Sequence, residues 1–182
     1  PINQDSDLLG LSGDRTALPA ILKIADSLQL NNPPVQHGNA YKDGRIDWCL
    51  IPYYNRMINV CFAVEHMPDA IAVDSLNRFL SDPYICGNVT REAKMATENV
   101  FPAILESRIA ATLARCGAKR GFDILVEYLG DMHYLLAQYA RQELRSILSK
   151  DYGHDTRRWK QYVDSLTFPT RLAARPKEGV EL

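Results

Sequence analysis

"ESRIAATLARCGAKRGFDILVEYLGDMHYLLAQYARQELRSIL", residues 106–148, decides the fold. Apolar residues return three and four apart throughout it, the period of an amphipathic helix. A long apolar helix ends at a glycine turn near residue 117. A short helix follows, carries Phe122, Leu125, Val126 and Leu129, and ends at Asp131. A second long helix runs over 134–150. The short helix has two copies upstream. "DSLNRFLSDPYI" (74–85) superposes on "DILVEYLGDMHY" (123–134) at an offset of 49, with Asp82 on Asp131, Leu80 on Leu129, Phe79 on Tyr128 and Leu76 on Leu125. In "SGDRTALPAILKIAD" (12–26), Leu18 falls on Phe122, Ile21 on Leu125, Leu22 on Val126 and Ala25 on Leu129.

Each short helix is followed by a longer one, over 46–67, 99–117 and 134–150, which makes three helix pairs, A then B. One pair cannot bury its own apolar faces, whereas stacked pairs bury a continuous core. The turn from A to B is about three residues in the third pair, but long insertions, 30–45 and 83–98, occupy it in the first two. Turns of this type share one edge of a solenoid, so the two insertions are expected near each other.

The third unit resembles HEAT repeats on these residues: an alanine-rich helix, a Gly turn, a short helix ending Leu-x-Asp, and "YARQEL", which supplies Tyr-Ala-x-x-x-Leu. The resemblance is specific over about 105–150 and looser over 12–104. "DYGHDTRRWKQYVDSL" is similar to the closing segment of HEAT-like regions in large bacterial proteins, where glycine, aspartate and tryptophan recur in this order. The resemblance implies an all-α fold, an α-α superhelix of about three helix pairs plus a C-terminal capping helix, whose B helices line the concave surface. This chain contains no His-Glu dipeptide, which argues against the iron-binding hydroxylase branch of that superfamily. A DNA glycosylase branch needs a basic concave face, which the net charge of −1 does not favour.

Several residues invite a chemical reading. In "DYGHD" (151–155), Gly153 suits a helix C-cap, Asp155 suits the N-cap of "TRRWKQYVDSL", and Trp159 suits a lid over the last repeat. His154 is then a loop residue, and Asp131 in "GDMHY" is a cap. No His-x3-His or His-Glu-x-x-His spacing exists, and no phosphate-loop, dinucleotide or nucleophile-elbow motif occurs. No catalytic residue, metal or cofactor is therefore expected. Arg108 with Arg115, and Arg141 with Arg145, are helical face-mates on two B helices and are the candidate binding residues, suited to an acidic partner. Trp48, Tyr53 and Tyr54 form an aromatic cluster, read as core.

The charge is unevenly spread. Residues 1–107 hold 8 Lys/Arg and 13 Asp/Glu, and residues 108–182 hold 13 and 9. That imbalance orients a partner but is too weak for nucleic acid. Cys49, Cys61 and Cys116 lie in apolar helical patterns and are expected as buried thiols. No apolar run is long enough to span a membrane. A chain that opens on Pro1 is expected to be a piece of a longer protein, with one domain over 1–167 and a Pro- and charge-rich tail or linker over 168–182. The expected function is a non-catalytic interaction or scaffold module that binds a protein partner or a neighbouring domain. The alternative is an accessory domain of a multidomain enzyme, with both insertions forming a ligand site.

Overall fold

A computed structural model describes residues 13–31, 41–42, 45–46, 51–82, 85–92 and 100–176. Among them the fold is all-α. The helices are α1 (Leu18–Asn31), α2 (Ile51–His66), α3 (Val73–Phe79), α4 (Val100–Arg115), α5 (Lys119–Tyr128), α6 (Tyr134–Leu148) and α7 (Thr156–Asp164). One turn of 3-10 helix leads into α1 and another into α3, each opened by an aspartate, Asp14 and Asp69, whose side chain accepts a backbone N–H. A two-residue antiparallel ladder pairs Tyr41–Lys42 with Arg45–Ile46. The helix expected from 46 begins at Ile51. The Asp43-Gly44 turn, Trp48, the Tyr53 side chain and Cys49 lie outside the described residues.

Helix α4 sits at the centre and packs against α2, α3, α5 and α6, while α1 packs on α2 and α3, and α7 on α5. Its sequence explains that position. Leu105, Ile109, Leu113 and Cys116 enter one core cluster with α1, α2 and α3. Ala103, Ala110, Ala111 and Ala114 enter a second with α5, α6 and α7. A helix apolar on two sides is a buried helix. The alanine side admits α5 at close range. A Cβ on Gly121 would stand 2.4 Å from the Ala110 carbonyl oxygen, so only glycine fits where α5 crosses α4. Tyr54 is buried and packs on Phe101 with ring centroids 5.4 Å apart, as the core reading of the aromatics expects.

The C-terminal end differs in detail from its sequence reading. Helix α6 is closed by Ser149 in the left-handed conformation (φ 54°), not by Gly153. Gly153 (φ +60°) instead turns the link to α7, where its N–H donates to Asp151 at 2.9 Å. Asp155 caps α7 by accepting the Arg158 N–H at 3.0 Å. Trp159 is fully buried, donates through its indole N–H to the Gly153 carbonyl at 2.9 Å, and meets Tyr152 edge-on. The expected linker from 168 is, over 168–176, a strap laid on the helices. Phe168 packs on Phe122, the Thr170 N–H donates to the Gly117 carbonyl at 3.1 Å, and the Ala173 N–H to that of Arg115 at 3.0 Å. Gly117 has φ +81°, and a Cβ there would lie 2.4 Å from the Thr170 carbonyl oxygen. A Pro-rich segment docks without regular structure because its polar groups are met by the ends of the helices it crosses.

Trp159→Ala is expected to lower stability by about 3–5 kcal/mol, the usual effect of emptying a large buried aromatic site. Asp155→Ala removes only a cap and is expected to cost about 1 kcal/mol. Equilibrium denaturation of the two variants checks the ranking, and equal losses would contradict the lid role of Trp159.

Candidate functional site

The interior holds charge. Glu65 from α2 and Glu143 from α6 are both buried, and so is Arg115 from α4. Arg115 donates through Nε and Nη2 to Glu143 Oε2 at 3.1 and 2.7 Å, a forked contact. Its Nη1 donates to the Ala173 carbonyl at 3.1 Å. Arg175, on the strap, donates through Nε to Glu65 Oε2 at 2.7 Å, through Nη2 to Glu143 Oε1, and through its backbone N–H to the Glu65 carbonyl. Thr112 Oγ1 donates to Glu65 Oε1 at 3.1 Å. One guanidinium from the strap thus joins two helices through their carboxylates, geometry in which planar arginine excels.

Arg108 stands at the edge of this cluster. Its Nη1 makes two long contacts, 3.4 Å to Glu65 Oε2 and 3.4 Å to Tyr139 Oη, and its guanidinium lies 5.8 Å from the Tyr139 ring centre. Burial first, and the nearby carboxylates second, hold the Tyr139 phenol well above its ordinary range, so it stays neutral. Beyond Arg108 lies a groove of about 270 Å³ between α4 and α6, lined by Ile104, Ser107, Arg108, Leu135, Leu136 and Tyr139. Leu135 is 80% exposed and its neighbour Tyr134 70%. Between Pro102 and Arg115, α4 reaches solvent at two positions, Ile104 and Arg108, and both line this groove.

The four candidate arginines therefore do not form one surface. Arg108 borders the groove. Arg115 is buried and closed to a ligand, because Glu143 and the strap enclose it. Arg141 and Arg145 lie two positions beyond Tyr139 and Glu143, about 200° round the helix at 100° per residue. Arg145 is exposed, and Arg141 is engaged by Asp151 at 3.0 and 2.8 Å. This contact first, and the Gly153 N–H second, bring the Asp151 carboxyl down to about 2.

Sequence reasoning missed Glu65, Glu143 and Arg175. The available signal was a glutamate inside an apolar face, "NVCFAVEHM" and "YARQEL", since an isolated charge at a core position requires a partner. Glu106 gave the same signal. Its buried carboxylate accepts the Gly87 N–H (2.8 Å), the Asn88 N–H (2.8 Å) and the Tyr128 hydroxyl (2.7 Å), and so pins the second insertion to α4. Asp131 extends that fastening, accepting the Thr90 N–H and the His133 N–H at 2.7 Å each. Most of the two insertions, and so their expected proximity, lies outside the described residues.

Other chemistry is sparse. Among the described residues no group of three or more His, Cys, Asp or Glu side chains is placed to hold a metal ion. His154 is exposed in the turn before α7. Burial pushes the Cys61 thiol up to about 12 and that of Cys116 up to about 11, so both are unreactive, whereas Cys86 is exposed. A larger cleft of about 490 Å³ between α5 and α7 is bordered by Arg91, Arg157 and Lys160, but Lys160 is held by Asp123 and Asp164 at 3.0 and 2.8 Å. No described helix is long and apolar enough to cross a membrane. Compared with family models, with curated proteins and with solved structures, the chain matches none.

Two predictions separate buried charge from surface charge. Glu143→Gln leaves Arg115 underpaired in the interior and is expected to cost about 3–5 kcal/mol. Asp151→Asn breaks an exposed pair that solvent screens and is expected to cost far less than Glu143→Gln. Chemical denaturation measures both, and a smaller loss for Glu143→Gln would contradict the cluster's structural role. The pH dependence follows from the lowered Asp151 pKa. Its contribution is complete above the ordinary value of 3.8 and is lost as pH falls through about 2. An NMR carboxyl titration of Asp151 should show a midpoint near 2, and a midpoint at the ordinary value would mean that Arg141 is free.

Proposed function

We propose that the chain is a non-catalytic interaction module built as a HEAT-like α-α superhelix, whose groove between α4 and α6 receives a protein partner or a neighbouring domain. Support for the architecture comes from alternation. Helices α1, α3, α5 and α7 take the A and capping positions, and α2, α4 and α6 the B positions. Consecutive B helices touch, α2 with α4 and α4 with α6, as stacked repeats require.

One observation carries the function. From Pro102 to Arg115 the central helix reaches solvent at Ile104 and Arg108, and at that opening α6 holds out Leu135, next in sequence to the exposed Tyr134. Large apolar side chains this exposed, grouped beside a groove, mark a contact surface, whereas single ones are ordinary. The groove lies on B helices, the side that the HEAT-like reading assigns to binding.

The test places a benzophenone amino acid at Leu135 and, as a control, at Ile71, which is 57% exposed on the turn before α3. Irradiation in cells expressing the chain is expected to give one dominant adduct from position 135, weakened by Ile104→Asp, and none in common from position 71. Matching adducts from both positions, or no adduct at 135, would overturn the reading.

A further inference from the structure

The groove has a chemical preference that follows from how the charge cluster beside it is balanced. Three guanidinium groups, Arg108, Arg115 and Arg175, face two carboxylates, Glu65 and Glu143. One positive charge is left over. The bonding pattern shows where it resides. Glu143 receives a fork from Arg115 and a further bond from Arg175. On Glu65, Thr112 takes one oxygen, and Arg175 holds the other at 2.7 Å, while Arg108 stays 3.4 Å from that same oxygen. Arg108 is the arginine with bonding capacity to spare. Its Nε and Nη2 make no hydrogen bond among the described residues. Its side chain is 29% exposed and forms part of the groove wall.

We infer that the α4–α6 groove binds an acidic–apolar peptide segment of a partner protein, whose carboxylate pairs with Arg108 while its apolar neighbours pack on Ile104, Leu135 and Leu136. This rests on the reading of the chain as an interaction module and gives that module's partner its chemistry. Two parts of the geometry define the occupant. The surplus charge and the unused donors of Arg108 call for a carboxylate, which meets a guanidinium through two parallel bonds. The remaining lining is apolar, so a carboxylate surrounded only by polar groups would leave Leu135 and Ile104 in water. Shape favours a peptide over a small organic acid. The groove, about 270 Å³, leaves its lining residue Leu135 80% exposed. Ligand pockets bury most of a small molecule's surface, whereas a wall this exposed suits a segment that continues across it. Tyr139, neutral and beside Arg108, offers its hydroxyl as a further contact for the bound carboxylate.

The probe is a phage-displayed library of random linear peptides, selected on the whole chain and read out by anisotropy of the enriched peptides after synthesis. The result expected is enrichment of Asp or Glu next to Leu, Ile or Phe. Replacing that acid by its amide should weaken binding about 10- to 100-fold, the range for a charge-assisted bond. The same replacement should have little effect on binding to Arg108→Gln, and Arg108→Lys should restore part of the difference. Leu135→Asp, at an exposed position that folding does not use, should abolish binding of acidic and amide peptides alike. Matching melting temperatures confirm that the variants are folded. The inference is overturned if enriched peptides show no acid preference, if that preference is the same on Arg108→Gln, or if no peptide is sensitive to Leu135→Asp. The first two results refute the carboxylate partner while photo-crosslinking at Leu135 still judges the module itself, because an adduct there requires no carboxylate.

Discussion

Glu65 and Glu143 can be buried only because guanidinium groups meet them from three directions. An unpaired carboxylate in a protein interior is costly enough that it takes up a proton or unfolds its surroundings. Here the required partners come from the central helix and from a strap at the far end of the chain, Arg175 being 110 residues from Glu65. Much of the tertiary arrangement is fixed by that requirement. Helices α2 and α6 must stand on either side of α4, the strap must pass over Gly117, and Gly117 must lack a side chain. Buried ion pairs are weak contributors to stability compared with apolar contacts of the same volume. Their effect is directional: Arg115 and Arg175 reach Glu143 and Glu65 only with α2, α4, α6 and the strap in this arrangement.

Helix α4 shows how a single sequence divides its sides. Leucine and isoleucine fill one flank and alanine the other, so one neighbour is held at a distance and the next is drawn close enough to require Gly121. The polar residues of the same helix are used in three ways. Glu106 fastens a loop, Thr112 and Arg115 complete the charge cluster, and Arg108 reaches the surface. The groove is therefore a continuation of the interior network. Its cation lies 3.4 Å from both the Glu65 carboxylate and the Tyr139 hydroxyl, at the edge of that network.

The helices were readable from the sequence because their signal is local. Apolar residues three and four apart located the seven helices of the described residues, with ends displaced by up to about six residues at α1, α2 and α3, and the alignment of Asp82 with Asp131 found the short helices α3 and α5. The capping segment was also readable, since Asp155 and Trp159 act through near neighbours. What failed depended on distance along the chain. Spacing places Arg108 and Arg115 on one side of a helix, but whether that side meets water depends on Glu143 and on a strap nearly 60 residues away. The strap has no periodicity, and its proline content resembles a linker. It is held by carbonyls at the end of α4, and nothing in residues 168–176 announces those acceptors. Ser149 takes the left-handed position expected of Gly153 because α6 ends at Leu148, where its apolar pattern ends, and not at the glycine.

The strap also imposes an order on biosynthesis. Residues leave the ribosome from the N-terminus, at about 5–20 per second. The α2 and α4 segments, with Glu65 and Arg108, emerge well before Arg175. Until Arg175 clears the exit tunnel, Glu65 lacks its closest cation and Glu143 lacks one of two. The nascent chain can form its helices and the leucine side of α4 early, but sealing Glu65 in the interior must await the emergence of Arg175. Ribosome-bound intermediates would keep that carboxylate hydrated and the α2–α4–α6 side open. A chain stalled before residue 175 is therefore not a shorter version of the finished protein but a helical assembly with its electrostatic lock unset.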